Sequence, residues 1–295
     1  MALFPPHWLD CVVALGEPDA DHEGGVHWMA TGFFYVHVNE RDGDHVTGKA
    51  YLVTAQHVLG ERSALLLRVN PSADEPARTF RVALRPESGQ GPDAAGGGDR
   101  GSDGDDGGSD EPLWFRPDDE ELDVVIIPVD LGLLRSQGMR AATFFSDTDL
   151  VGRDRLAAEG VSEGDGVFVL GFPMGDVGGE RNHAIVRGGT IARVRDALAG
   201  STDTMLLDCF VFPGNSGGPV VLRPERTTIE GTPSPQRALL LGLVKSYVPY
   251  RDVATSAQTG RARVVFEENT GLCSATVIDV VADLARRHAQ PGAAD

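Results

Sequence analysis

A chain of 295 residues, 41% hydrophobic and 24% charged, has the composition of an ordinary globular protein with ample apolar mass for a core. Its formal net charge of −18 argues against a general binder of nucleic acid or anionic membrane, since both demand a basic surface. No apolar run approaches the ~20 residues of a membrane span, and Pro5, Pro6 and Asp10 break up the start, which does not read as a signal peptide.

Along the chain, helical periodicity is scarce and short β-branched or aromatic runs recur, bounded by glycine and charge. Residues 31–38, 49–55, 64–69 and 78–84 read as strands, and Asp42-Gly43 between the first two suggests a hairpin with a longer tip. Residues 55–62 read as a turn or two of helix. The segment from about 88 to 112 is low-complexity Gly, Asp and Ser and carries much of the negative charge. Asp103 and Asp105 alternate there, but the spacing and terminal glutamate of a calcium loop are missing, so it reads as a solvated, disordered insertion.

Further strands are expected at 123–129, 166–172, 183–194, 204–211, 218–222, 238–244 and 262–266. Residues 274–289 place Val277, Val280, Val281 and Leu284 on one helix face and close on basic residues, as a C-terminal helix would. Many short strands with turn chemistry between them indicate barrels or a sandwich rather than an α/β sheet. Cys11, Cys209 and Cys273 are odd in number and far apart, with no CxxC pair or Cys/His cluster. They read as buried thiols of a cytoplasmic protein that needs no metal or cofactor.

One stretch does not fit a plain strand or helix. Residues 212–221, Phe-Pro-Gly-Asn-Ser-Gly-Gly-Pro-Val-Val, surround Ser216 with glycines that weaken both kinds of element. It is either a simple loop or a nucleophile with its backbone amides left bare. Two further motifs favour the second reading. A strand-like run, Leu-Val-Thr-Ala-Gln-His-Val, delivers His57, and Asp123 stands before an apolar strand. A serine hydroxyl needs an imidazole to take its proton, and the imidazole needs a carboxylate to fix its tautomer. His57, Asp123 and Ser216 occur in the chain order of chymotrypsin-type enzymes.

Thr54-Ala55-Gln56-His57 resembles the Thr-Ala-x-His signature of the trypsin/chymotrypsin superfamily, and Asp123-Val124-Val125-Ile126 is similar to its Asp-containing element. Pro213 to Pro219 resembles the nucleophile loop of bacterial members, especially HtrA-type proteases. The likeness runs on through residues 164–175 and 185–194 and covers most of 30 to 285. It implies an all-β fold of two packed six-stranded antiparallel barrels with a short C-terminal helix. His57 and Asp123 would lie in the first barrel, residues 1–145, and Ser216 in the second, residues 146–295.

By the same resemblance, the backbone N–H groups of Gly214 and Ser216 form an oxyanion hole. Phe210, Val211 and Phe212, after Cys209, would line the primary specificity pocket, with Val244, Lys245 and Ser246 in its wall. A small or medium apolar P1 residue is expected, while Lys245 leaves an acidic P1 open. Two departures stand out. Val58 replaces the cysteine that follows the histidine in animal trypsins. Asn215 replaces their aspartate, so zymogen activation through an ion pair at that position is ruled out.

The expected activity is that of a serine endopeptidase acting on protein or peptide substrates. A catalytically silent binding or sensor module on the same fold, and an esterase-like serine hydrolase, are the alternatives. No PDZ-like segment follows the protease region, so peptide-regulated assembly of the HtrA kind is not expected. The acidic loop and the termini are left as places where a regulatory protein could dock.

Overall fold

The computed structural model describes residues 4–86, 111–150, 152–224 and 237–289. The acidic insertion expected at about 88–112 lies almost wholly outside the described residues. Residues 30–36 explain why the sequence there shows an unbroken apolar run rather than alternation. All seven are buried, because their strand is covered on both faces. Phe34 and Val36 point into one core with Leu15 and Leu52, whereas Phe33 and Tyr35 point into another with Tyr51, Val53 and Val169. Burying each such side chain contributes roughly 1.5–3 kcal/mol.

The first sheet contains β1 (Val12–Pro18), β2 (Val26–Asp42), β3 (His45–Thr54), β4 (Ala64–Val69), β5 (Arg78–Ala83), β6 (Val125–Pro128) and β7 (Phe144–Phe145). Its order is β5-β4-β1-β2-β3-β6, with antiparallel neighbours, and β7 pairs parallel to β2. Where the sequence reading expects a closed barrel, this sheet is curled. Among the described residues, β5 and β6 do not pair.

The second unit closes. Strands β8 (Gly166–Gly171), β9 (Ile185–Arg193), β10 (Thr204–Asp208), β11 (Pro219–Leu222), β12 (Leu239–Thr255) and β13 (Ala262–Val277) form a six-stranded barrel in the order β10-β13-β12-β11-β8-β9. One hydrophobic core runs from the outer face of the first sheet into this barrel, joining Phe33, Val53 and Ile126 to Val169, Val220 and Leu243. Cys11, Cys209 and Cys273 are buried free thiols, and burial pushes the Cys273 thiol well up.

Several elements differ from the sequence reading. The β2–β3 hairpin has a tight two-residue tip, since Asp42 pairs with His45. Gly43, with φ 56°, fills the first turn position, where a type II′ turn takes glycine. Strand β1 carries no alternation because Val12 to Leu15 are all buried, so periodicity could not mark it. Strands β12 and β13 run much further than their apolar ends. Their outer halves are exposed and held by pairs such as Arg251 Nε to Glu267 Oε2 at 2.9 Å and Tyr247 Oη to Glu267 Oε1 at 2.6 Å.

Among the described residues there are four α-helices: α1 (Leu131–Ser136), α2 (Arg153–Ala158), α3 (Arg195–Leu198) and α4 (Ile278–Ala289). Val277 ends β13 instead of opening the C-terminal helix. Helix α4 then returns to the first sheet, where Lys49 Nζ donates to His288 O at 2.9 Å.

A carboxylate holds the start of α3. Glu163 Oε1 accepts from the N–H groups of Val194 at 3.0 Å and Arg195 at 3.2 Å. These amides, Val194 first, pull the carboxyl from an ordinary 4.5 down to about 2. A depressed folded-state pKa gives stability that is complete above 4.5 and lost as the pH falls towards 2. Glu163→Gln keeps an acceptor and removes the charge. Thermal melts of this variant are expected to show a lower midpoint at pH 7 and a shallower acid limb in that window. An unchanged acid limb would contradict this role.

Candidate active site

The run of β3 into Thr54 and Ala55 ends in a 3-10 turn, Gln56–Val58. Buried Ala55 and Val58 anchor that turn, which leaves the His57 side chain 51% exposed at the cleft. Asp123 follows another 3-10 turn, Glu120–Leu122, and adopts a left-handed conformation at φ 52° and ψ 48°. Aspartate tolerates that region better than most residues. The conformation lets one carboxylate serve two donors. Asp123 Oδ1 accepts from the His57 backbone N–H at 2.9 Å, and Oδ2 lies 2.7 Å from His57 Nδ1. With Nδ1–H committed to the carboxylate, Nε2 keeps its lone pair for another proton.

Contacts from the barrel pin the aspartate loop. Thr276 Oγ1 donates to Leu122 O at 2.6 Å, and Lys245 Nζ donates to Glu121 O. Lys245 thus sits behind the His57–Asp123 pair. It lines a cleft of about 370 Å³ with Gln56, His57, Trp114, Glu121 and Asp123.

Ser216 lies in the loop between β10 and β11, and two glycines set its course. Gly214 has φ 98°, and a Cβ there would stand 2.3 Å from Phe172 O. Gly217 has φ 81°, and its Cβ would meet Thr31 O and Thr54 Oγ1, both at 2.3 Å. No other residue fits at either place. The second contact also packs the serine loop against the end of β3, directly before the His57 turn. Ser216 is half-buried. Among the described residues, neither Gly214 N–H nor Ser216 N–H donates to a protein acceptor.

Asn215 is fully buried and closes the loop on itself. Its N–H donates to Phe212 O, and its Oδ1 accepts from Phe212 N–H, both at 3.0 Å. Its Nδ2 has no partner among the described residues. Asn215→Asp would place a carboxylate there with no cation bonded to it. The variant is expected to lose about 3–5 kcal/mol of stability at pH 7, because a buried charge is left uncompensated. The carboxyl's pKa would be raised, so the loss shrinks as the pH falls and the group protonates. Urea unfolding at pH 7 and pH 5 measures this, and equal stability to wild type at pH 7 would contradict it.

The residues expected to form a specificity pocket divide. Val211 and Val244 are core side chains, each 1% exposed. Phe210 is half exposed and lies against Gly271, while Ser246 faces solvent. The Phe212 ring carries the Arg187 guanidinium at 5.2 Å from its centroid. The sequence reading singles out neither Arg187 nor Thr31, Asn269 and Thr276. Asn269 Nδ2 supports the wall of the loop by donating to Val211 O at 2.7 Å. None of the four belongs to a motif, and only the folded chain brings them to the site.

The fold thus holds a His–Asp pair at the edge of one sheet and packs a glycine-built serine loop of the barrel against the end of β3. The chain belongs to the trypsin-like peptidase domain family, whose model matches residues 30–226. Among solved structures, it is similar to a human pathogenic astrovirus serine protease, at 12% identity over 93% of each chain with a TM-score of 0.41. No curated protein matches it.

Proposed function

We propose that this chain is a serine endopeptidase that works through an acyl-enzyme. The observation that carries the proposal is the 2.7 Å contact of His57 Nδ1 with Asp123 Oδ2 beside a serine loop whose Gly214 and Ser216 amides are unused. In the first step His57 Nε2 takes the Ser216 hydroxyl proton as Oγ bonds to the substrate carbonyl carbon. The carbonyl π electrons move to oxygen, and the amides of Gly214 and Ser216 stabilise the oxyanion. Collapse of this intermediate breaks the C–N bond, and His57 gives its proton to the departing amine. Water, deprotonated by the same imidazole, then attacks the acyl carbon, and the imidazolium gives its proton to Ser216 Oγ as the acyl C–O bond breaks.

Asp123 orients the ring and offsets the charge of the imidazolium. Substrate recognition falls to exposed groups, since Val211 and Val244 are buried and Lys245 is committed to Glu121. Phe210 and Ser246, with half-buried Phe212, remain to meet the substrate, which fits an apolar P1.

Turnover of a diverse peptide library and of simple activated esters, each compared with Ser216→Ala, tests the proposal. Cleavage of peptide bonds that disappears in the variant is the expected result. Ester hydrolysis without any peptide cleavage would replace the endopeptidase with an esterase. Absence of both from folded protein would leave a silent binding module.

A further inference from the structure

The peptide planes of the serine loop are held one by one. Pro213 O accepts from Met174 N–H at 2.6 Å, and Gly214 O accepts from the Thr31 hydroxyl at 2.6 Å. Asn215 O accepts from Gly218 N–H at 2.8 Å, and Ser216 O from Thr31 N–H at 3.0 Å. In a trans peptide the C=O and the following N–H point in opposite directions. Fixing Pro213 O towards Met174 therefore turns Gly214 N–H the other way. Fixing Asn215 O towards Gly218 does the same for Ser216 N–H.

Thr31 holds the two alternating planes between and after these, Gly214–Asn215 and Ser216–Gly217, so that neither of the amide-bearing planes can swing. It is fully buried in β2, on the first sheet, yet holds two carbonyls of a loop that belongs to the barrel. Its hydroxyl is itself fixed, because Phe172 N–H donates to it at 3.0 Å. A Cβ at Gly171 would lie 2.7 Å from that hydroxyl, so glycine is what lets the barrel strand approach. Met174 completes the set in a left-handed conformation, φ 58°, with its side chain 75% exposed. A non-glycine residue in that region is held there by its surroundings. Here the outcome is an N–H aimed at Pro213.

Every group in this set is neutral. We propose that Thr31 is a positioning residue whose hydroxyl and N–H, together with the N–H groups of Met174 and Gly218, lock the Pro213–Ser216 loop so that the Gly214 and Ser216 amides stand ready for an oxyanion. The fold itself thereby supplies the order that an ion pair at the asparagine position would otherwise provide. This assignment rests on the serine peptidase reading of the site.

Thr31→Ser and Thr31→Ala both lose the methyl group, and only the second loses the hydroxyl. The rate of labelling by a fluorophosphonate, and kcat and KM on a chromogenic ester, are compared with wild type and Ser216→Ala. Thr31→Ser should stay close to wild type. Thr31→Ala should label and turn over about 10²–10³-fold more slowly at unchanged KM, the effect of misplacing an oxyanion donor. If the alanine variant fails to fold, Thr31→Val, which fills the space without a hydroxyl, takes its place. Wild-type rates in a folded variant without the hydroxyl would overturn the positioning role and leave the reactivity of Ser216 intact. No labelling of Ser216 in wild type would instead overturn the peptidase reading, and the positioning role with it.

Discussion

Replacing Ser216 with alanine is expected to lower kcat by about 10⁶-fold, or about 8 kcal/mol of transition-state stabilisation. The reason is geometric. The serine loop is built on Gly214 and Gly217, whose left-handed conformations and crowded surroundings exclude any side chain. Alanine at 216 leaves that backbone unchanged, so the oxyanion amides survive while the attacking oxygen is gone. A residual rate above that of water is expected from those amides alone. Removing His57 as well should add little, because nucleophile and base act as one unit. Single-turnover kinetics on an ester measure both variants. Additive losses in the double variant would contradict a shared role.

Asp123→Asn is the second large effect, expected near 10⁴-fold in kcat. The carboxylate accepts from the His57 backbone N–H and lies 2.7 Å from its ring Nδ1. An asparagine has one oxygen for two donors. If its amide nitrogen faces the ring, it must donate to Nδ1, which moves the ring proton to Nε2. The imidazole then cannot take the serine proton. Folding should be largely preserved, since Thr276 and Lys245 hold the neighbouring carbonyls rather than the carboxylate. A pH–rate profile separates the two consequences. The asparagine variant should recover activity at high pH, where hydroxide can substitute for the base. A fall to the Ser216→Ala level at every pH would contradict a purely orienting role for Asp123.

Much of the site was legible because its chemistry is written in contiguous motifs. Ser216 is framed by glycines, His57 closes a buried strand, and Asp123 opens another. Strands β2 and β3 showed as apolar runs where both faces are covered, whereas β1, equally buried, did not stand out. Thr31 was not legible as a site residue. Its partner Gly214 lies 183 positions away, and a threonine within an apolar strand reads as packing. Lys245 was misleading for a related reason. Sequence placed its strand at the pocket wall, but Glu121 O, which captures its ammonium, enters from a loop of the other unit. The outer half of β12 escaped notice because charged cross-strand pairs, not burial, hold it, although its partner stretch at 262–266 in β13 reads as a strand.

Asn215 matters both by its identity and by its place in the fold. Its identity alone ruled out the charged activation switch of animal relatives. Its burial and its reciprocal bonds with Phe212 explain how a neutral side chain keeps the loop closed.

Covalent capture reads most directly whether Ser216 is an activated nucleophile. Intact-mass analysis of the purified chain after exposure to a fluorophosphonate, with peptide mapping, should show a single adduct on Ser216. That adduct should be absent in Ser216→Ala and strongly reduced in Asp123→Asn. Folded wild-type protein that stays unmodified, or carries its adduct on another residue, would contradict the account.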